Sequence, residues 1–375
     1  MKIITSLFIY QLIFLFGFCN NNNIKPKSSK LTNEKHELAA KQYDTIITKV
    51  PLISFTAVGD VMFGSNFPSN ASLPPSNQLP LLNEADSLLK STDFTFGNSE
   101  GTFLNSGGTP KGSGQNIYCF RQPESFAANF KNSGFDLISI ANNHINDFGE
   151  LGIISTTRLL ESNELNYAGI PSHPYTIVKK GELKIGFIAF APHSGCLDMN
   201  DINKAKSLVS ELKKKTDIVF VSFHGGAEGT NAQHVTRKKE IFYDQDRGNV
   251  FDFAHTMIDA GADVIIGHGP HVVRALELYH SRFIAYSLGN FCTYGMFNLS
   301  GVSGIATMLQ FNLNSKGEFV NGNIHSFKQI NEGGPIIDTD RKAVSIIQKL
   351  TTEDFPEGLL KISDNGYLEP IIKKD

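Results

Sequence analysis

The stretch FDFAHTMIDAGADVIIGHGPHVV, residues 251–273, decides how this 375-residue chain is read. FDFAHTMIDA carries apolar residues at helical spacing. ADVIIG (262–267) is a short apolar run of the kind a sheet buries on both faces. The run leads into a loop that holds His268 and His271, with Pro270 fixing the bend between them. Helix, buried strand and ligand-bearing loop in succession point to an α/β domain, whose open sheets place their sites at strand ends.

The same alternation extends outward in both directions. ISFTAV, FDLISIA, LKIGFIAFA, DIVFVSF and FIAYSLG are further apolar runs, and LGIISTTRLLES has helical period. YTIVKKGELKIGFIAF reads as two strands around a Lys-Gly turn and VVRALELYHSRFIAYS as a second hairpin, so the predicted sheet is mixed. Residues 65–80, with four prolines, and SGGTPKGSG (106–114) read as irregular surface loops. A helix over 341–349 and a strand over 359–362 are expected to pack back onto the domain. No internal repeat of solenoid period is present.

The chain begins with one early lysine and an unbroken apolar run, Ile3 to Phe18, the layout of a secretory signal that is short for a membrane span. Residues 1–19 are read as a signal peptide or lipoprotein signal, with an uncleaved anchor as the alternative. Cys19, followed by four asparagines, resembles a lipidated cysteine, although Phe18 stands where a small residue is expected. Export to the cell envelope follows on either reading. Residues 20–50 have the composition of a solvated tether; residues 51–330 form the main domain and 331–375 a C-terminal extension packed on it. A net charge of −3 gives no broad basic surface for nucleic acid. Cys119, Cys196 and Cys292 form no C-x-x-C pair and are read as buried thiols, or as one disulfide and a spare.

Five loops after apolar runs carry metal-ligand residue types. AVGDVMFG presents Asp60, which could equally cap a following helix. FGNSEG offers Asn98 and Glu100 beside glycines on an expected tight turn, oxygen donors suited to hard divalent ions. SIANNHINDFG holds Asn142, Asn143, His144 and Asp147; a left-handed turn accounts for one asparagine but not for the pair or for His144. VSFHGGAEG adds His224 and Glu228, and the 261–273 stretch adds His268 and His271. Asn290 in SLGNF is assigned a supporting or turn-forming role. His234, His255, His280 and His325 are expected on solvated surfaces. The chain lacks a G-x-S-x-G elbow, a P-loop and a G-x-G-x-x-G loop, so serine-hydrolase and nucleotide-fold readings lose their signatures.

Taken in order, GDVM, NSE, ANNH-x-x-D-x-G, HGGAE, IDAGADVIIGHGPHV and YSLGNF resemble the CapA family of poly-γ-glutamate capsule biosynthesis, over about residues 52–330. The resemblance implies a calcineurin-like, metallophosphatase-like α/β fold with stacked mixed sheets flanked by helices. It also implies a divalent metal (Mn, Mg, Zn or Fe) held by Asp60, Glu100, Asn143, His224, His268 and His271, with His144 as general acid or transition-state hydrogen-bond donor. Two departures stand out. Met62 occupies the place of a histidine in the usual D-x-H start, and two residues rather than one separate the closing histidines.

The chemistry expected from this set is metal-assisted hydrolysis of a phosphoester, or a hydrolytic or transfer step on an anionic envelope polymer. The rival expectations are a non-catalytic accessory protein that binds such a polymer or a membrane synthase complex, and an envelope protein with only a structural ion.

Overall fold

The computed structural model describes residues 52–372, except 76–79, 113, 115–116 and 331–332. The signal, Cys19 and tether readings lie outside the described residues. Among the described residues no helix is long and apolar enough to cross a membrane.

Two mixed sheets stack face to face. In the first, Ile53–Met62 lies at the centre. It runs parallel to Phe94–Ser99, which is followed outward by the parallel strands Leu137–Ser139 and Asn166–Ala168. On its other side come the antiparallel strands Ile305–Leu313 and Phe319–Lys328. Asn290–Thr293 pairs in parallel with the C-terminal end of the central strand. The C-terminal segment does more than cover this sheet: Tyr367–Pro370 pairs with Phe319–Lys328 and carries Leu360–Ile362 at the edge.

The second sheet has a parallel centre of Leu183–Phe190, Ile218–His224, Val264–His268 and Arg282–Ala285. Both expected hairpins flank it, with Tyr175–Lys180 at one edge and Leu276–Tyr279 at the other. The turn of the latter places His280 and Ser281 at φ 49° and 62°, the twist-matched geometry of a two-residue hairpin. The layered arrangement is therefore the mixed-sheet α/β architecture that the sequence implies.

The helices follow from their own patterns. In Val250–Asp259 the buried residues Val250, Phe253, Ala254, Met257 and Ile258 recur at three- and four-residue steps, so one face meets the second sheet. Asn249 caps its start by accepting from Asp252 N at 3.2 Å. Asp201 does the same for Ile202–Lys213. Gly149–Ser162 and Lys342–Asp354 complete the longer helices, the last running five residues beyond its expected end.

Between the sheets the core is aromatic. Phe96 of the first sheet meets Phe187 and Phe220 of the second, with ring centroids 5.6 and 4.9 Å apart, and Phe55 lies 5.6 Å from Phe220. The three described cysteines are free and buried, which selects the buried-thiol alternative.

Two of the four surface histidines are corrected. His255 is half-buried against Glu277, Nε2 to Oε2 3.0 Å, and His325 is half-buried with Nε2 2.9 Å from Gln310 Oε1. Each turns toward a neighbouring strand that supplies a polar partner. His234 and His280 are exposed as expected.

Candidate metal centre

Asp60 lies inside the central strand rather than in a loop after it, and no helix follows for it to cap. Gly59 is required by close approach rather than by a turn: a Cβ there would sit 2.1 Å from Gly289 O, whose carbonyl accepts from Asp60 N. A register shift between Ala57 and Asp60 accompanies this contact and re-aims the end of the strand. Asn98 is likewise in a strand, not on the expected turn, in register with Asp60. Only Glu100 and Gly101 (φ 122°) form the turn.

The strand ends bring the donors together. Asn98 Nδ2 donates to Asp60 Oδ1 at 2.8 Å and to Glu100 Oε2 at 2.6 Å. Asn142 Nδ2 donates to Asn98 Oδ1 at 3.1 Å, and Asn142 Oδ1 accepts from His144 N, so the first asparagine of the pair organises the loop. The second, Asn143, lines the cleft with its Oδ1 buried and unpartnered. From the second sheet, His224 and His268 face each other in register on adjacent strands. His268 Nε2 donates to Val58 O across the sheets at 3.0 Å, which leaves Nδ1 without a partner. His271, at φ 56°, places Nδ1 2.9 Å from Asp60 Oδ2.

Ligand atoms of Asp60, Glu100 and His224 lie within 4.8 Å of one another. Buried polar atoms are nearly always paired, yet Glu100 Oε1, Asn143 Oδ1, both His224 nitrogens and His268 Nδ1 lack hydrogen-bond partners. This mixed set of carboxylate, amide and imidazole donors fits a divalent ion of borderline softness. Met62 contributes nothing to it: the side chain is fully buried and its Sδ accepts from Gly64 N at 3.1 Å.

The electrostatics have the character of a shared ligand site. Burial and the nearby Asp60 push Glu100 well above the usual carboxylate range. Burial also acts to raise Asp60, but the hydrogen bond and charge of His271 outweigh it and hold Asp60 low. For His271, burial is overcome by Asp60, and its pKa rises to about 10. Burial holds His224 and His268 below the usual histidine range, neutral as metal ligands must be.

His144 stands at the cleft wall, stacked on Phe120 with centroids 3.9 Å apart. Its Nδ1 is 2.7 Å from Asp147 Oδ2, and its Nε2 lies 3.9 Å from Glu100 Oε1. Asp147 is gripped in turn by Phe120 N at 2.6 Å and Lys111 Nζ at 2.7 Å. Burial lowers the His144 pKa, with Asp147 opposing. Asp147 thus sets which ring nitrogen faces the cleft, a role its place in the motif did not reveal.

The cleft has a volume of ≈ 770 Å³. Of the seven residues expected at the site, Asn143, His144 and His271 line it, while Asp60, Glu100, His224 and His268 are fully buried, the first three of these four with ligand atoms close together. Sequence reasoning missed Lys111, His193 and Arg247, which also line it. His193 follows LKIGFIAFA, so the strand-end rule could have found it. Burial and the neighbouring Arg247 push its pKa down to about 3. Lys111 lies in a segment read as an irregular loop and Arg247 in one to which no site role was assigned, and residue type alone gave no signal for either.

A family model described as bacterial capsule synthesis protein PGA_cap matches residues 54–294. The capsule biosynthesis protein CapA of Bacillus anthracis is 27% identical over 262 residues, 64% of this chain and 59% of that protein. The PGA biosynthesis protein CapA of Bacillus subtilis (strain 168) is 28% identical over 257 residues, 64% of this chain and 63% of that protein. The chain thus spans about three fifths of the length of these curated relatives. Among solved structures, one described as a putative 5'-nucleotidase from Staphylococcus aureus overlaps 81% of this chain and 59% of its own, at 17% identity and a TM-score of 0.41. The family model alone covers well over half of the sequence, in the region that holds every donor of the cleft, and the chain belongs to the bacterial capsule synthesis protein PGA_cap family.

Proposed function

We propose that this chain is an exported envelope protein of capsule-type polymer biosynthesis. Its cleft holds a divalent ion and hydrolyses a phosphoester or a bond in an anionic envelope polymer. One observation carries the metal-centre reading: buried ligand atoms from separate strand ends converge without hydrogen-bond partners. Asp60, Glu100, Asn143, His224 and His268 would hold the ion, and His271 would exchange its bond to Asp60 for a place in the same shell. When bound, such an ion lowers the pKa of a coordinated water and polarises a phosphoryl or acyl oxygen.

The chain's own residues supply the rest. Asp147 accepts Nδ1–H of His144, fixes the ring and favours its imidazolium against burial, the form that carries a transferable proton on Nε2 toward the cleft. The leaving oxygen would take that proton. Phe120 covers one face of the imidazole and limits its access to water. The apolar run Ile3–Phe18 supports export.

Metal analysis of the purified chain, then turnover on a phosphoester panel with added manganese, tests this reading. Metal-dependent turnover abolished by D60A, N143A and H268A is the expected result. Full activity in all three variants would overturn it. Metal-independent binding of poly-γ-glutamate without turnover would instead assign the accessory role.

A further inference from the structure

Arg247 is almost wholly buried, its side chain 5% exposed, at the wall of the cleft. Nη1 donates to His193 Nε2 at 3.2 Å, and Nη2 lies 2.8 Å from Glu228 Oε1. The guanidinium carbon lies 5.4 Å from the centre of the Phe242 ring, which helps to fix its plane. Its Nε is buried with no partner. A guanidinium kept solely for structure would satisfy its donors, because desolvating the cation and leaving an N–H unpaired both cost free energy.

The backbone that carries it is held firmly. Arg247 N donates to Glu240 O at 2.9 Å, and Gly226 N donates to Arg247 O at 2.8 Å, tying the residue to the loop that follows His224. Glu228 neutralises part of the charge through Nη2. Nε–H is left as an unspent donor on the side edge it shares with Nη2, the edge whose paired geometry matches a carboxylate or a phosphate.

We propose that Arg247 is an anion-binding residue of the cleft, gripping a carboxylate or phosphate group of the substrate beside the metal centre. The proposal deepens the functional reading above and rests on the cleft being the substrate site. Around the mouth, Ile117, Tyr118 and Tyr243 line the cleft and are exposed at 44%, 52% and 65%. This apolar rim favours an anion carried on a carbon chain over a bare inorganic ion. Lys111, a third exposed and paired with Asp147 at 2.7 Å, lines the same cleft.

The test is calorimetric titration of the metal-loaded full chain with γ-glutamylglutamate and, separately, with phenyl phosphate. The two probes separate a carboxylate-bearing polymer from a phosphoester as the source of the anion. Wild-type protein should bind at least one of them, and R247Q should bind it about 10- to 100-fold more weakly, the worth of a charge-assisted hydrogen bond. R247K keeps the charge beside Glu228 but loses the fork, so it carries the comparison if R247Q folds poorly. It should bind several-fold more weakly than wild type with metal content and melting temperature unchanged. No binding by wild type, or full affinity in both variants, would overturn the proposal. Arg247-dependent binding without metal-dependent turnover would reject the hydrolase reading and leave this subsite standing.

Discussion

Replacing Arg274 by methionine should be among the most damaging single changes outside the metal centre. The side chain is fully buried beneath Gly226. It holds Glu240 in a two-pronged pair, Nη1 to Oε1 at 2.9 Å and Nη2 to Oε2 at 2.7 Å. Nε donates to Ala232 O at 2.6 Å and Nη2 to Ala227 O at 3.3 Å. Methionine would fill the space of the stem but strand the Glu240 carboxylate, itself 6% exposed, with Ala227 N as its remaining donor. Removing one partner of such a pair costs about 3–5 kcal/mol, chiefly from the uncompensated buried charge. On a chain of this size that is a fall in melting temperature of roughly 4–7 °C. Adding E240Q removes the stranded charge and should recover a good part of the loss, so a double-mutant cycle in urea separates the pair from simple packing. Loss of less than about 1 kcal/mol in R274M, or strict additivity of R274M and E240Q, would refute the reasoning.

Three further predictions concern the site. Chelation should lower the melting temperature of wild type, with a difference of about 2.7 kcal/mol when free metal was at a hundred times its dissociation constant, and D60N should lose that response. In the metal-free chain the His271 pKa is raised to about 10 by Asp60, above its unfolded value, so the pair's stabilisation is complete below about pH 6.5 and lost as pH rises toward 10. Thermal melts of the chelated protein should therefore fall more steeply across that window than those of H271Q, and equal slopes would count against the pair. G59A should destabilise by about 1–3 kcal/mol or more and perturb metal binding, since its Cβ would meet Gly289 O at 2.1 Å; a variant with wild-type stability and metal content would show that the strand ends can part freely.

The fold and the site were legible to different depths for physical reasons. Uninterrupted apolar runs such as DIVFVSF and ADVIIG stand out because strands buried on both faces have no polar alternation to blur them. Ile305–Leu313 and Phe319–Lys328, the long antiparallel pair, were not picked out: they carry Gln, Asn and His at partly covered or exposed positions. FGNSEG (96–101) read as a turn because Gly97 and Asn98 are turn residues locally, whereas Phe94–Ser99 is a strand. In the structure Gly97 admits Phe135, whose Cε1 would lie 2.6 Å from a Cβ there. The candidate ligands and His144 could be named in the sequence because each lies within a few residues of a strand end inside a motif. Lys111 and Arg247 could not, since a basic residue in an irregular loop has no local signature and acquires its role from distant partners such as Asp147 and Glu228.

The in-register His224 and His268 belong to one sheet, and Asp60 and Asn98 to the other. The centre is thus two half-sites whose separation is set by whatever keeps the sheets apart, and near the site that is the ring stack of Phe96, Phe187 and Phe220. These phenylalanines would act as a gauge block for the proposed metal pocket. Trimming one of them should alter which ion fits before it unfolds the chain, so selectivity among metals can be tuned from the dry interior without touching a single ligand.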